Sequence, residues 1–267
     1  MRAWRSWKNA RGVALLAATA LAVGIGSTTA IYTVVHTVLL KPLPYREGER
    51  FVALYAASFS EPGVSSLNYP DVVEFARRTH SFDVFGWFRN DQFNLTSPGR
   101  PEHIGGIDLT AGLANSLGVN PVAGRWFRDG DGYAVAVISS ALADRLGGRA
   151  RILGQSLALN TRQYTVLGVM PPWFRLPVGG PGVFTGNDIW LPLDPRVAAR
   201  DTLSGIYLIY ARRKPGVTFA AAQADVKAVA SQIARQNPAG HPAYTAELDD
   251  LREVVTREIR PTLLLLF

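Results

Sequence analysis

The sequence predicts an α+β domain carried behind one N-terminal transmembrane helix, and three observations predict it. Residues 12–40 form an apolar run whose only ionisable side chain is His36, preceded by four basic residues, Arg2, Arg5, Lys8 and Arg11. The chain has 267 residues, 48% hydrophobic and only 18% charged, so the length beyond that run can bury one large or two small cores rather than stay disordered. Within that length, a strand-helix-strand pattern near each end flanks a middle of short strands and short helices.

The first run is long enough to cross a bilayer, which takes about 20 apolar residues. A cleaved signal peptide has an apolar region of only about 7 to 15 residues. The small residues Ser27–Ala30 resemble a peptidase site, but the run is too long for that reading. Basic residues resist translocation, so the N-terminus is expected in the cytoplasm and residues 41–260 on the far side, in a bacterium the periplasm or cell exterior. Ala14, Ala18, Ala22, Gly26 and Ala30 recur at every fourth position, a smooth stripe that a second membrane helix could approach closely.

After Lys41-Pro42-Leu43-Pro44, which ends the membrane helix, Phe51–Ala57 reads as a strand. Asn68 is a candidate cap of a helix buried through Val72, Phe75 and Ala76. Phe82–Leu95 reads as a strand with a turn or bulge at Asn90-Asp91. In the middle, Gly105–Leu109 and Val135–Ile138 are short strands followed by helices over Ala111–Leu117 and Ser140–Leu146, the second capped by Ser139. Gln155–Asn160 and Gln163–Val169 flank Thr161-Arg162 as a hairpin, Gly179–Gly186 reads as a mobile loop, and Ile189–Leu193 as a strand. Near the far end Ile206–Arg212 is β-like, Thr218 caps a helix with Phe219, Ala222, Val226, Val229 and Ile233 on one stripe, and Tyr244–Leu248 returns as a strand. The two flanking units predict a split β-α-β sheet with both helices on one face, the middle being an inserted mixed α/β subdomain.

Leu248, Leu251, Val254, Val255 and Ile259 fall at helical spacing and run past Pro261 into a second apolar stretch, Thr262–Phe267. They read as a stalk helix leading to a second membrane segment, with Leu248, Leu251, Val255 and Ile259 the stalk candidates. A plain amphipathic helix packed on its own domain fits the same spacing.

Composition and motifs exclude several functions. The net charge is +7 and the pI 9.9, but removing the four N-terminal basic residues leaves +3, and the remaining arginines form no stripe. Nucleic acid is therefore not an expected partner. No cysteine is present, which excludes disulfides, thiolate metal sites and a cysteine nucleophile. His80, His103 and His241 have no metal-ligand spacing, and no G-x-S-x-G elbow or phosphate loop occurs. Asp129, Asp131, Asp249, Asp250 and Glu253 are the densest carboxylates; an anchored hydrolase would need them to converge, and solvated turns and a helix start explain them better. The Asn94-Leu95-Thr96 sequon is assigned no function. No catalytic residue, metal ligand or cofactor site is expected.

The ordered series Leu40-Lys41-Pro42-Leu43-Pro44-Tyr45, Asn68-Tyr69-Pro70-Asp71, Pro121–Phe127, Val135–Ser139, Ile152-Leu153-Gly154, Tyr164–Pro171, Asp188–Leu193 and Lys214–Thr218 resembles the MacB-like permeases of ABC transporters, most closely their duplicated orphan permease branch. The resemblance covers nearly the whole chain from the first apolar run onward. It implies residues 1–11 as a cytoplasmic basic segment, 12–40 as the transmembrane helix, and 41–260 as a periplasmic core domain. Within that domain, porter-like parts at about 45–99 and 196–250 surround an inserted subdomain at about 100–195, and 261–267 begin a truncated second transmembrane helix of an FtsX-type bundle. The implied setting is the bacterial inner membrane. The implied partners are the lipid bilayer, an ABC-type ATPase subunit that hydrolyses ATP separately, a second permease half or second copy, and a periplasmic adaptor. The implied function is non-catalytic: transmission of ATP-driven motion for export or efflux of lipoproteins, peptides, toxins or antibiotics. Since family members continue further, the chain is expected to be incomplete on its own. The alternative is a membrane-anchored periplasmic binding or adaptor module.

Overall fold

The computed structural model describes residues 15–27, 29, 43–58, 61–65, 67–96, 101–176, 187–200, 207–237 and 244–256. The chain divides into two units, Met1–Pro42 with Thr256–Phe267, and Leu43–Val255. In the first, residues 15–27 are helical, with Ala18, Ala22 and Gly26 exposed. Its hydroxyls bond back to the helix: Thr19 Oγ1 donates to the Leu15 carbonyl at 2.7 Å and Ser27 Oγ to the Val23 carbonyl at 2.7 Å. Among the described residues no helix is long and apolar enough to cross a membrane. The rest of the 12–40 run, with Ala14 and Ala30, lies outside the described residues, as do Ile259 and 261–267.

The second unit begins with a 3₁₀ turn, Gly48–Arg50, and runs through β1 (Phe51–Ser58), β2 (Glu61–Ser65), α1 (Tyr69–Arg78), β3 (Phe82–Leu95), β4 (Glu102–Leu109), α2 (Ala111–Ser116), β5 (Ala123–Gly124) and β6 (Val135–Ser139). There follow α3 (Ser140–Arg145), α4 (Arg149–Ile152), β7 (Ser156–Leu159), β8 (Arg162–Met170), β9 (Ile189–Pro192), α5 (Pro195–Ala198), β10 (Leu208–Arg213), α6 (Phe219–Gln236), β11 (Tyr244–Asp250) and α7 (Leu251–Thr256).

The starts expected for α1, α3 and α6 are each marked by a side chain that satisfies an otherwise unbonded N–H. Asn68 Oδ1 accepts from the Asp71 N–H at 2.9 Å, Ser139 Oγ from Leu142 at 3.1 Å, and Thr218 Oγ1 from Ala221 at 3.2 Å. The α6 stripe is buried at Ala222, Val226, Val229 and Ile233, whereas Phe219, expected on the same stripe, is 37% exposed in the first turn.

Among the described residues all eleven strands belong to one mixed sheet in the order β11-β1-β10-β3-β4-β9-β6-β8-β5, with β2 against β1 and β7 against β3 and β8. Each neighbouring pair among the first four is antiparallel. They are the strands of the two flanking strand-helix-strand units, interleaved as in a split β-α-β sheet. The middle joins through β3, whose first half pairs with β10 and whose second half, Phe88–Leu95, pairs with β4. β3 therefore runs straight through Asn90 and Asp91, paired with Ile107 and Gly106, and the expected turn there is absent. The β7–β8 hairpin turns at Asn160-Thr161, one residue earlier than expected. Asn160 adopts φ 53°, which Asn tolerates well, and its Oδ1 accepts from the Asn94 N–H at 2.9 Å.

Alternation along the strands sends successive side chains to opposite faces. Phe51, Ala53, Ile107, Leu109, Val137, Trp190 and Tyr210 join one core that extends across both flanking and middle strands. Their neighbours Val52, Leu54, Ile209 and Ala211 belong to a second core covered by α1 and α6, and Ala136, Ile138, Ile189 and Leu191 to a third beneath α3. One face is thus shared and the other is divided in two.

Candidate functional site

The stalk spacing resolves into two elements rather than one helix. Leu248 lies in β11, opposite Leu54, buried in the core under α6; Leu251 opens α7 and is buried in the shared core. The expectation of a continuous helical stripe from Leu248 is corrected, because pairing with β1 overrides the three-residue spacing. Asp250 marks the switch: its Oδ1 accepts from the Arg252 N–H at 2.9 Å, as a helix start requires. Val254 packs against the shared core and Val255 is half-buried.

The incoming segment docks on that same core. Tyr45 is buried with Leu43 packed beside it, and its hydroxyl donates to the Arg175 carbonyl at 2.8 Å. Burial pushes the Tyr45 phenol far above its ordinary range, so it stays a neutral donor. The Arg46 N–H donates to the Leu117 carbonyl at 2.9 Å. Gly118, at φ 71°, leaves room for that contact: a Cβ there would lie 2.6 Å from the Arg46 Cβ.

Charges fix the segment to the strands behind it. Arg50 pairs with Glu47 at 2.7 Å and Asp83 at 2.8 Å, and its Nε donates to the Arg213 carbonyl at 2.7 Å. Arg212 pairs with Asp83 at 2.9 Å and Glu47 at 3.1 Å, which closes a four-membered network joining the segment to β3 and β10. Partial burial would raise the Asp83 carboxyl, but hydrogen bonds from Arg212 and Arg50 hold it below the usual carboxylate range. The incoming segment and the outgoing helix are therefore seated on one core, which also underlies both flanking and middle strands.

A second feature lies where the parallel pair β4 and β9 ends. A cavity of about 170 Å³ is lined by Arg89, Asp108, Tyr133, Arg162, Tyr164 and Asp194, among others, and a neighbouring one of about 390 Å³ by Tyr69, Trp87, Asp129, Tyr133 and Pro195. Arg89 and Asp108 face each other across β3 and β4 at 3.0 Å, with Asp91 at 3.5 Å. Burial outweighs the attraction of Arg89 and pushes the Asp108 carboxyl up to about 6. Burial also opposes the Arg89 charge, but Asp108 and then Asp91 outweigh it and raise its pKa.

The densest carboxylates do not converge on a reactive centre. Asp131 receives both terminal nitrogens of Arg125, at 2.6 and 2.8 Å, and the Arg128 N–H at 2.8 Å, which hold its carboxyl down at about 2. Asp249 and Asp250 pair with β1, and Glu253 lies on α7. Among the described residues no group of three metal-ligating side chains occurs. His80 and His103 are exposed, and His241 lies outside the described residues. The network of Arg50, Asp83 and Arg212, and the pair Arg89–Asp108, carried no local sequence signal, since their members meet only through strand register.

The fold is found in known proteins. It matches a domain of a candidate permease protein from Porphyromonas gingivalis at 16% identity and a TM-score of 0.57, over 77% of this chain and 92% of that one. It matches the periplasmic region of MacB from Actinobacillus actinomycetemcomitans at 11% identity and 0.56, over 80% and 94%. The extracellular domain of the noncanonic ABC-type transporter YknZ from Gram-positive bacteria matches at 14% and 0.53, over 73% and 98%. No curated protein matches by sequence. The family described as MacB-like periplasmic core domain matches residues 14–229, most of the chain, and this protein belongs to that family.

Proposed function

We propose that this chain is a permease component of an ABC transporter whose core domain stands on the periplasmic side of the inner membrane, behind an anchor at 12–40, and relays ATP-driven motion from a separate ATPase subunit. The observation that carries this reading is the shared core. The incoming segment, through Leu43 and Tyr45, and the outgoing helix, through Leu251 and Val254, pack on the face that spans both sets of strands. A displacement of either segment is passed to the whole domain, because packed interiors transmit strain rather than absorb it. Coupling of this kind is mechanical and needs no catalytic residue in this chain. Porter-like parts at about 45–99 and 196–250, an insertion at about 100–195 and a second membrane segment from 261 complete the proposed layout, with export of peptides, lipoproteins, toxins or antibiotics as its outcome. A second copy or permease half and a periplasmic adaptor are the proposed partners besides the ATPase.

The test is to sever the charge network in cells. Arg50→Ala combined with Arg212→Ala should leave the protein folded, in the membrane and bound to its ATPase, yet reduce efflux of a panel of peptides and antibiotics. Undiminished efflux would overturn the coupling role.

The cavities beside Tyr133 favour a second reading, a membrane-anchored periplasmic binding or adaptor module. Isolation of the chain from native membranes separates the two: a co-isolated ATPase supports the permease, and its absence supports the module.

A further inference from the structure

An edge strand turns every second residue's N–H and C=O outward, a template on which another chain can add. β11 pairs along its length with β1 and, among the described residues, with no other strand. Its outward groups are nonetheless occupied at the centre. Gln223, reaching from α6, donates from Nε2 to the Ala246 carbonyl at 3.0 Å and accepts at Oε1 from the Leu248 N–H at 2.8 Å. A residue of a parallel neighbouring strand would make these two bonds, its N–H and C=O bridging residues two apart. The side-chain amide stands in for that strand. It is held in place because Ala222 and Val226 of α6 are fully buried, and Ala246 and Leu248 are buried beside them. One turn further along α6, Lys227 pairs with Glu247 at 2.9 Å.

We propose that Gln223 closes the free edge of the sheet, and that without it β11 becomes a strand-addition surface whose occupant is β11 of a second copy. An antiparallel pair of identical strands is self-complementary and needs no other sequence. Only a side chain with a donor and an acceptor on one carbon can make both bonds, so neither Glu nor Met replaces Gln. Glu247, Asp249 and Asp250 form a second guard, since like charges oppose self-pairing at low salt.

The chain has no cysteine, so Glu247→Cys provides a single reporter thiol at the centre of β11. The full chain is studied in detergent micelles at about 1 M salt, where the screening length is about 3 Å. On oxidation Glu247→Cys alone should form no disulfide-linked dimer, and Glu247→Cys with Gln223→Ala should form one. Hydrogen exchange at the Leu248 amide, followed at low salt where the acidic residues keep Gln223→Ala from self-pairing, should quicken by about tenfold, while the Glu247 amide, turned toward β1, keeps its protection and shows that the sheet is intact. If the Ala variant does not fold, Gln223→Met keeps the stem without the two bonds and replaces it. No dimer beyond the Glu247→Cys control, or an unchanged Leu248 amide, overturns the proposal.

Discussion

Asp108→Asn removes a carboxylate that the fold holds against its ordinary chemistry. The side chain is 13% exposed, lies 3.0 Å from Arg89, and its pKa stands at about 6 against an ordinary 3.8. The unfolded chain releases this proton near pH 4 and the folded chain near pH 6. Between those values the folded state binds more protons, so stability falls as pH rises and levels off above pH 6. A shift of about two units at about 1.36 kcal/mol each gives about 3 kcal/mol as the ceiling for this group. The Asn variant has no such titration, whereas every other group titrates in both proteins and cancels in the difference. Urea unfolding of both proteins from pH 4 to pH 7 should show the stability of wild type minus variant declining by about 2–3 kcal/mol. A difference that grows with pH would refute the reasoning, because it would mean that the Arg89 charge, not burial, sets the protonation of Asp108.

Leu251→Ala empties a fully buried position of the shared core and should cost about 2–5 kcal/mol in urea unfolding, whereas Val255→Ala, half-buried on the same helix, should cost under about 1.5 kcal/mol. Gly86→Ala should destabilise by about 1–3 kcal/mol, since its Cβ would lie 2.4 Å from the Leu113 Cβ where α2 crosses β3. Arg50→Ala should leave Asp83 paired with Arg212 and the global stability lowered by about 1–3 kcal/mol, with amide exchange quickened first over residues 46–50.

The elements legible in the sequence were those with local chemical signals. Asn68, Ser139 and Thr218 each mark a helix start to the residue because capping is decided within three or four positions. The strand span Phe82–Leu95 is readable from its aromatic-rich, β-favouring content, but not its continuity through Asn90-Asp91. Pairing with β4 supplies the bonds that a turn would otherwise provide. Leu248 misled for the same reason: a three-residue spacing to Leu251 fits a helix, yet the two lie in different cores on opposite faces of the sheet. The docking site was the least legible part. Arg50, Asp83 and Arg212 are distant in sequence, and Arg89 meets Asp108 only once the β3–β4 register is set. How the middle strands attach is likewise not legible: they continue the sheet of the flanking strands and share one of its cores, a consequence of register that no local pattern carries.

The most direct test of the account is topology, read with a phosphatase that is active only outside the cytoplasm, fused after Arg260 in one protein and after Phe267 in another. Activity is expected at both positions, with an uncleaved N-terminus protected from protease added outside. Inactive fusions at both positions would place the core domain in the cytoplasm and contradict the proposed transport role.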